Sequence, residues 1–220
     1  KGTDKETQAE TKAFIPRVGL VVEASENINL YSTWVKGFQP QGANIQSDPE
    51  RYGGPFDYVK SELHEIGLKT EWFNKRLNAT VSVFKIKQEN SLEQSAKTGK
   101  PDWRVPVDEE SNGFEVDVAG RIAPNWSVVA NYAYTDARIV KLKEEGALKD
   151  LNMQRPSTPR HAANFWTKYI IQKGALEGLG LGVGVNYVSE RLGQVGRRAT
   201  AASYPEYTLV NAVLYYKVKD

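Results

Sequence analysis

The chain has 220 residues, 40% of them hydrophobic and 25% charged, and its 29 Lys and Arg against 27 Asp and Glu leave a formal net charge of +2. That composition excludes wholesale disorder, and the small charge gives no nucleic-acid footprint, so no nucleic-acid partner is expected. The absence of cysteine removes disulfides, thiolate nucleophiles and cysteine zinc sites together.

No apolar run approaches the roughly 18 to 20 residues of a membrane-spanning helix, and the mean hydropathy of -0.53 resembles that of a soluble chain. A spanning strand passes both tests unseen, because it needs only about 9 to 11 residues and half of them face away from lipid. A start at Lys1 without methionine implies a processed chain or a piece of a longer one.

Alternation of apolar and polar residues predicts nine strands: Ile15 to Ala24, Ile28 to Val35, Leu63 to Phe73, Leu77 to Lys87, Phe114 to Ile122, Trp126 to Thr135, Ala162 to Ile170, Leu179 to Tyr187 and Glu206 to Val218. In the second, Ile28, Leu30 and Trp34 share a face. In the third, Ile66, Leu68 and Trp72 oppose Glu65, Lys69 and Glu71. In the fourth, Leu77, Ala79, Val81 and Val83 keep step until Phe84 and Ile86 change parity, which is read as a bulge or a strand end.

The fifth strand alternates most regularly, with Phe114, Val116, Val118, Gly120 and Ile122 against Glu115, Asp117, Ala119 and Arg121. In the sixth, Trp126 and Tyr134 bracket Val128, Ala130 and Tyr132. Eight positions span about 26 Å of strand, or about 19 Å of membrane depth at a tilt near 45°, close to the separation of two aromatic girdles. The eighth sets Leu179, Leu181, Val183, Val185 and Tyr187 against Gly180, Gly182, Gly184 and Asn186. Such glycines mark either close approach of something filling a lumen or tight packing within the sheet, and their spacing is not that of a nucleotide loop.

Short polar turns at Ser25 to Asn27, Asn74 to Arg76, Ala123 to Asn125 and Gln172 to Glu177 alternate with long connections. The long ones are Gly37 to Glu62, Glu89 to Asn112, Ala137 to Arg160 and Glu190 to Tyr204, with a short helix expected over Lys141 to Leu151. The predicted fold class is therefore all-β, an antiparallel up-and-down transmembrane β-barrel with short periplasmic turns and long extracellular loops. Nine strands alone leave two open edges in hydrocarbon, and single-chain bacterial barrels usually close with an even number, so further strands are expected.

Several runs resemble one family, the TonB-dependent outer-membrane receptors of the ferric-siderophore type. They are Pro16-Arg17-Val18-Gly19-Leu20, then Asn29-Leu30-Tyr31 and Gly37-Phe38-Gln39-Pro40, then Glu65-Ile66-Gly67-Leu68-Lys69-Thr70-Glu71-Trp72, with His64 where the family usually has tyrosine. Asn112-Gly113-Phe114-Glu115-Val116 and Asn131-Tyr132-Ala133-Tyr134-Thr135-Asp136-Ala137 follow, the last being the most specific, and Pro159-Arg160-His161 and Tyr204-Pro205-Glu206-Tyr207 complete the order.

The resemblance implies that residues 1–220 form part of a 22-stranded barrel that also has a plug domain and closing strands, neither of which matches anything here. It further implies an outer-membrane receptor that imports a ferric siderophore, with TonB, ExbB and ExbD acting through the plug, and with lipid and lipopolysaccharide around the barrel. No covalently bound cofactor is implied. A passive porin, or a soluble β-sandwich that buries Leu179, Leu181, Val183 and Val185 between two sheets, remains open at this point.

A ferric siderophore is a bulky, polar, often aromatic chelate, so its receptor needs stacking faces and hydrogen-bond donors rather than iron ligands. Aromatic and arginine side chains at loop bases suit that role: Tyr52, Phe56 and Tyr58 in the first long connection, Trp103 and Arg104 in the second, and Arg197 and Arg198, near Arg191, in the fourth. The bland reading is that the aromatics pack the loops together and the arginines are solvated. Asp108, Glu109 and Glu110 are read as a solvated loop face, because calcium-loop spacing is absent. His64 and His161 have no metal-motif partner, and no nucleophile elbow or catalytic triad order supports an enzyme.

Overall fold

A pleated strand sends successive side chains to opposite faces, so a period-two apolar pattern gives a sheet one apolar and one polar surface. A computed structural model describes residues 12–95, 102–142, 152–193 and 202–217. Nine strands, β1 (Arg17–Ser25), β2 (Ile28–Gln39), β3 (Val59–Trp72), β4 (Leu77–Gln94), β5 (Arg104–Ala123), β6 (Trp126–Leu142), β7 (His161–Ile170), β8 (Leu179–Val188) and β11 (Tyr207–Tyr216), form one antiparallel sheet in chain order. The sheet does not close on itself: β1 and β11 are its edges. Between β2 and β3 lie two short helices, α1 (Ala43–Ser47) and α2 (Pro49–Tyr52), and β9 (Arg191–Leu192) pairs with β10 (Ser203–Tyr204) as a small ribbon.

The register sets the apolar residues side by side across the sheet. One row runs Val22, Leu30, Leu68, Val81, Val116, Tyr132, Ala163 and Tyr187, and the next Leu20, Ser32, Ile66, Val83, Phe114, Tyr134 and His161. This face is open to its surroundings: Leu20, Ile66, Val83 and Leu214 are 63%, 61%, 55% and 71% exposed. Leu181, which a sandwich would bury, is 48% exposed, and among the described residues no second sheet covers it. A contiguous apolar surface of this extent needs an apolar solvent.

The long strands extend further than the hydropathy pattern predicts. The expected connection over Glu89 to Asn112 contains the end of β4 and the start of β5, and β6 continues to Leu142 inside the connection expected from Ala137. Lys141 and Leu142 are thus strand rather than helix, and the rest of that expected helix lies outside the described residues. The physical reason is that these extensions stand above the membrane, where outward positions turn polar and the apolar alternation fades while the backbone ladder goes on.

The parity change at Phe84 is of the same kind. The β4–β5 register is unbroken from Leu77 to Gln88, and the bulge comes later, between Gln88 and Ser91, where Asn90 has φ 63. Phe84 and Ile86 simply belong to the opposite face from Val83, and outward positions beyond Val83 are taken by Lys85 and Lys87. The β3–β4 turn bends through Phe73, Asn74 and Lys75 at φ 53, 56 and 64. Buried apolar residues gather at the upper end of the sheet, where Val105, Val107 and Ile139 pack with Trp103, Leu142 and Met153.

Candidate functional site

At the end of the sheet opposite the short turns, the long connections lock together. Gly53 caps α2 with φ 88, and a Cβ on it would fall 2.4 Å from Trp103 Cε2, so the indole lies directly on the glycine. Arg51 Nε donates to Asp102 Oδ2 at 2.8 Å beside this contact. The indole's other neighbours are the buried valines and isoleucine, which tie the first and second connections to β5 and β6. In the third connection, Met153 packs on the same cluster, while the Ser157 amide donates to the Leu192 carbonyl at 2.8 Å and links it to the fourth.

Within this platform Tyr52 ends α2, with the Arg51 guanidinium 5.3 Å from its ring. Phe56 is buried, and Gln46 clasps its backbone, donating to the Phe56 carbonyl at 2.7 Å and accepting from its amide at 3.4 Å. Tyr58 meets Phe38 edge to face at 5.7 Å, with Lys60 Nζ 5.5 Å from the phenol ring. These two rings, with Phe14, Lys36, Lys60 and Lys87, line a cleft of about 250 Å³. Trp103 and Arg104 sit at the base of the second connection, next to Gly53 and opposite Gln94 respectively. Arg191 stacks on Tyr204 and Tyr207 at 5.3 and 5.8 Å, whereas Arg197 and Arg198 lie outside the described residues. The structure thus joins Trp103 to the segment after Tyr52 and puts Tyr58 in a separate cleft.

The Asp108 to Glu110 run is not a solvated loop face. All three residues are in β5, and Glu109 is 4% exposed, with Arg155 Nε 2.8 Å from its Oε2. Burial pushes the Glu109 and Glu93 carboxyls above the usual carboxylate range, and at Glu93 the charge of Glu109 adds to burial while Arg155 and Arg104 oppose it. A raised folded pKa means that the folded cluster holds its protons more tightly than the unfolded chain. Its stability is greatest at acidic pH and falls as pH rises from the unfolded value through the folded one. Limited proteolysis of these connections is therefore expected to be slower at pH 5 than at pH 8, with Glu93→Gln narrowing the gap. An equal gap in the variant removes Glu93 from the account.

On the outward face, charge begins one row above Phe114 and Tyr134. Glu110 receives Lys85 Nζ at 2.9 Å and Lys87 Nζ at 3.8 Å, and the Lys85 hydrogen bond holds its carboxyl below the usual range. Asp136 takes Arg138 at 2.9 Å and Arg160 at 3.6 Å, and Glu62 accepts from the Trp34 indole at 2.7 Å with His64 at 2.9 Å.

The polar face divides in two. On β3 to β5 it carries Glu65, Glu71, Glu115 and Asp117 together with Lys69 and Arg121. On β6, β7 and β8 it carries a row of asparagines, joined diagonally by one on β11: Asn164 Nδ2 donates to Asn131 Oδ1 at 2.7 Å, Asn186 to Asn164, and Asn211, opposite Gly184, to Asn186 at 3.3 Å. Below the row, the glycine wall is covered by rings of its own sheet. The Trp166 benzo ring lies where Cβ atoms of Gly182 and Gly184 would be, at 2.8 and 2.4 Å, and the Tyr215 ring lies where one on Gly180 would be, at 2.2 Å. The glycines make room for neighbouring-strand aromatics. Sequence reading missed the asparagine row because its members are visible as a row only once register is known.

The family described as TonB dependent receptor-like, beta-barrel matches residues 1–220. The chain is 28% identical over 218 residues to the metal-pseudopaline receptor CntO of Pseudomonas aeruginosa, covering 97% of this chain and 28% of that one. It is 30% identical over 214 residues to the catecholate siderophore receptor Fiu of Escherichia coli, covering 92% and 26%. The closed-form crystal structure of Fiu matches with a TM-score of 0.71 at 27% identity, over 92% of this chain and 28% of that one. The ferripyoverdine receptor of the Pseudomonas aeruginosa outer membrane matches in fold with a TM-score of 0.72 at 24% identity, over 96% and 28%. The chain spans roughly a quarter of the length of these relatives. Sequential antiparallel strands, an outward apolar face and a match over every residue agree that the chain belongs to the TonB-dependent receptor family, as part of its outer-membrane β-barrel.

Proposed function

We propose that the protein carrying this chain is an outer-membrane receptor that takes up a ferric siderophore, energised through TonB, ExbB and ExbD. The observation that carries the reading is the upper platform, where aromatic and cationic side chains are held on interlocked connections. A chelated iron is already coordinatively satisfied, so recognition falls to stacking, hydrogen bonding and charge at the chelate's periphery. Tyr52, Tyr58, Trp103 and Arg104 are the proposed contacts among the described residues, with Phe56 shaping the first connection from within and Arg197 and Arg198 contributing charge. Relatives named for a metal-pseudopaline and a catecholate siderophore support the class of ligand.

In this reading residues 1–220 form part of the barrel domain, and chain outside them supplies the plug, its TonB contact and the closing strands. The outward Lys85, one row above the aromatic girdle, Lys87 and Arg138, two rows above it, and Arg160 beside Asp136 face phosphorylated lipopolysaccharide headgroups.

The test is growth of an iron-starved strain deleted for the full-length gene and fed single ferric siderophores. Returning the gene restores growth on at least one of them, and deleting TonB abolishes it again. Surface expression with no rescue by any siderophore sinks uptake, and rescue that survives loss of TonB makes the protein a passive channel. Mass spectrometry of the purified receptor checks the lipid partner, which is absent if no phosphorylated glycolipid is retained.

A further inference from the structure

We infer that the outward cleft at the top of β2, β3 and β4 binds a phosphorylated sugar in the core oligosaccharide of a lipopolysaccharide, above the layer that holds the glycolipid's membrane anchor. The inference rests on the glycolipid contact proposed above and adds a second contact at a different height.

Register puts the cleft on the outside of the sheet. Lys36, Glu62 and Lys87 stand side by side two rows above Ile66 and Val83, and Phe38, Lys60 and Glu89 stand three rows above, all with the parity of the lipid-facing residues. A row is about 5 Å of height on a tilted strand, so the cleft lies about 10 to 15 Å above the last apolar row. The headgroup layer on each side of a bilayer is only about 5 to 8 Å thick. Lys85, one row up, lies within that layer. The cleft lies beyond it, at a height where a lipopolysaccharide presents sugars and their phosphates.

Two of its cations are not taken up by the protein. On β4 to β6 the outward cations one and two rows up are ion-paired, Lys85 and Lys87 with Glu110 and Arg138 with Asp136. On β2 and β3, Lys36 and Lys60 are in no ion pair among the described residues, and their Nζ atoms stand 5.5 Å from the rings of Trp34 and Tyr58 respectively. Lys60 is opposite Glu89 in the register, yet its ammonium leans to the phenol instead. The other carboxylate of the cleft, Glu62, already accepts from the Trp34 indole at 2.7 Å, with His64 Nε2 at 2.9 Å. Three ammonium groups against two carboxylates leave the cleft cationic, and Lys36 and Lys60 are free to turn their N–H groups to phosphate oxygens.

The rest of the lining suits the sugar itself. Phe14, 88% exposed, and Phe38 present aromatic surface beside the ammonium groups. A sugar ring has an apolar C–H face, which packs on such rings while its phosphate reaches the lysines. The volume of about 250 Å³ is below the roughly 300–1,000 Å³ of pockets for drug-sized ligands, so it takes one sugar with its phosphate. Tyr58, edge to face with Phe38 at 5.7 Å, then serves this cleft rather than the chelate, which leaves Tyr52, Trp103 and Arg104 for the mouth.

The test uses the full-length receptor, purified in detergent, and two fluorescently labelled probes: a rough lipopolysaccharide with phosphorylated core sugars, and the same molecule with only the core phosphates removed. Removing those phosphates is expected to weaken binding about tenfold. Lys36→Gln and Lys60→Gln are each expected to cost about fivefold for the phosphorylated probe, the upper end for an exposed ion pair, and nothing for the other probe. Lys85→Gln, in the layer below, weakens both probes alike. Heat-modifiable migration on gels shows that each variant is folded; if a lysine variant is not, Phe14→Ala, which lies before β1 and outside the sheet, carries the comparison. Equal affinity for the two probes, or equal losses on both from Lys36→Gln and Lys60→Gln, overturns the cleft and leaves the lower contact standing. Binding of neither probe overturns both contacts. Displacement of the phosphorylated probe by inorganic phosphate as strongly as by unlabelled glycolipid also overturns the cleft, because the sugar then adds nothing.

Discussion

Val185→Arg is expected to destabilise the full-length receptor in a bilayer by about 2–4 kcal/mol, whereas Val129→Arg costs less than about 1 kcal/mol. Both replace a valine by arginine within the spanning part of the sheet, so propensity and size change alike. They differ in face. Val185 sits in the outward row with Val118, Ala130, Phe165 and Val210, and an arginine there puts a guanidinium against hydrocarbon. Val129 is opposite Ala119 and Trp166 on the polar face and is 49% exposed, so the same guanidinium enters water. Urea unfolding from lipid vesicles, followed by tryptophan fluorescence, gives the two values. Equal costs, or the reverse order, remove the assignment of the apolar face to lipid.

Trp103→Ala has the largest expected effect outside the membrane, a loss of about 3 kcal/mol or more in the stability of the upper platform. The indole bridges Gly53 in the first connection and the Val105, Val107 and Ile139 cluster of β5 and β6, so its removal opens a cavity at the joint between connections. Gly53→Val attacks the same joint from the other side. Its backbone stands at φ 88, which a β-branched residue resists, and its Cβ would enter the indole. Both variants are expected to expose Arg51 and Arg104 to trypsin together while the nine-stranded sheet stays resistant. Cleavage at only one of the two sites would show that the connections are not joined through Trp103.

The spanning part of the fold was legible in the sequence. Val116, Val118, Ala130 and Tyr132 alternate because one face meets lipid, and short turns such as Ala123 to Asn125 carry their own polar signal. The nine-stranded order and the face assignments follow from such local patterns. What lies above the membrane was not legible. There both faces of β4 and β5 meet water or protein, so Glu93 and Glu109 look like loop residues although they lie in paired strands.

The platform contacts depend on residues far apart in the chain. Trp103 in sequence is an aromatic between prolines, and nothing local says that Gly53 is its seat. The glycine-rich strand showed that something must lie against it, but Trp166 and Tyr215 come from the neighbouring strands β7 and β11. The asparagine row likewise takes one residue from each of three strands, Asn131, Asn164 and Asn186, and a single-position shift in either pairing would have dissolved it.

The abrupt exchange of Val83 and Phe114 for Lys85, Asn112, Lys87 and Glu110 draws a waterline on the outside of the wall. Sinking the barrel by a single row, about 5 Å for two residues of tilted strand, would pull ionic groups into oil, and raising it would strip Val83 and Phe114 of their solvent. The protein is pinned in height, and it is the surrounding lipid that must thin or thicken to meet it.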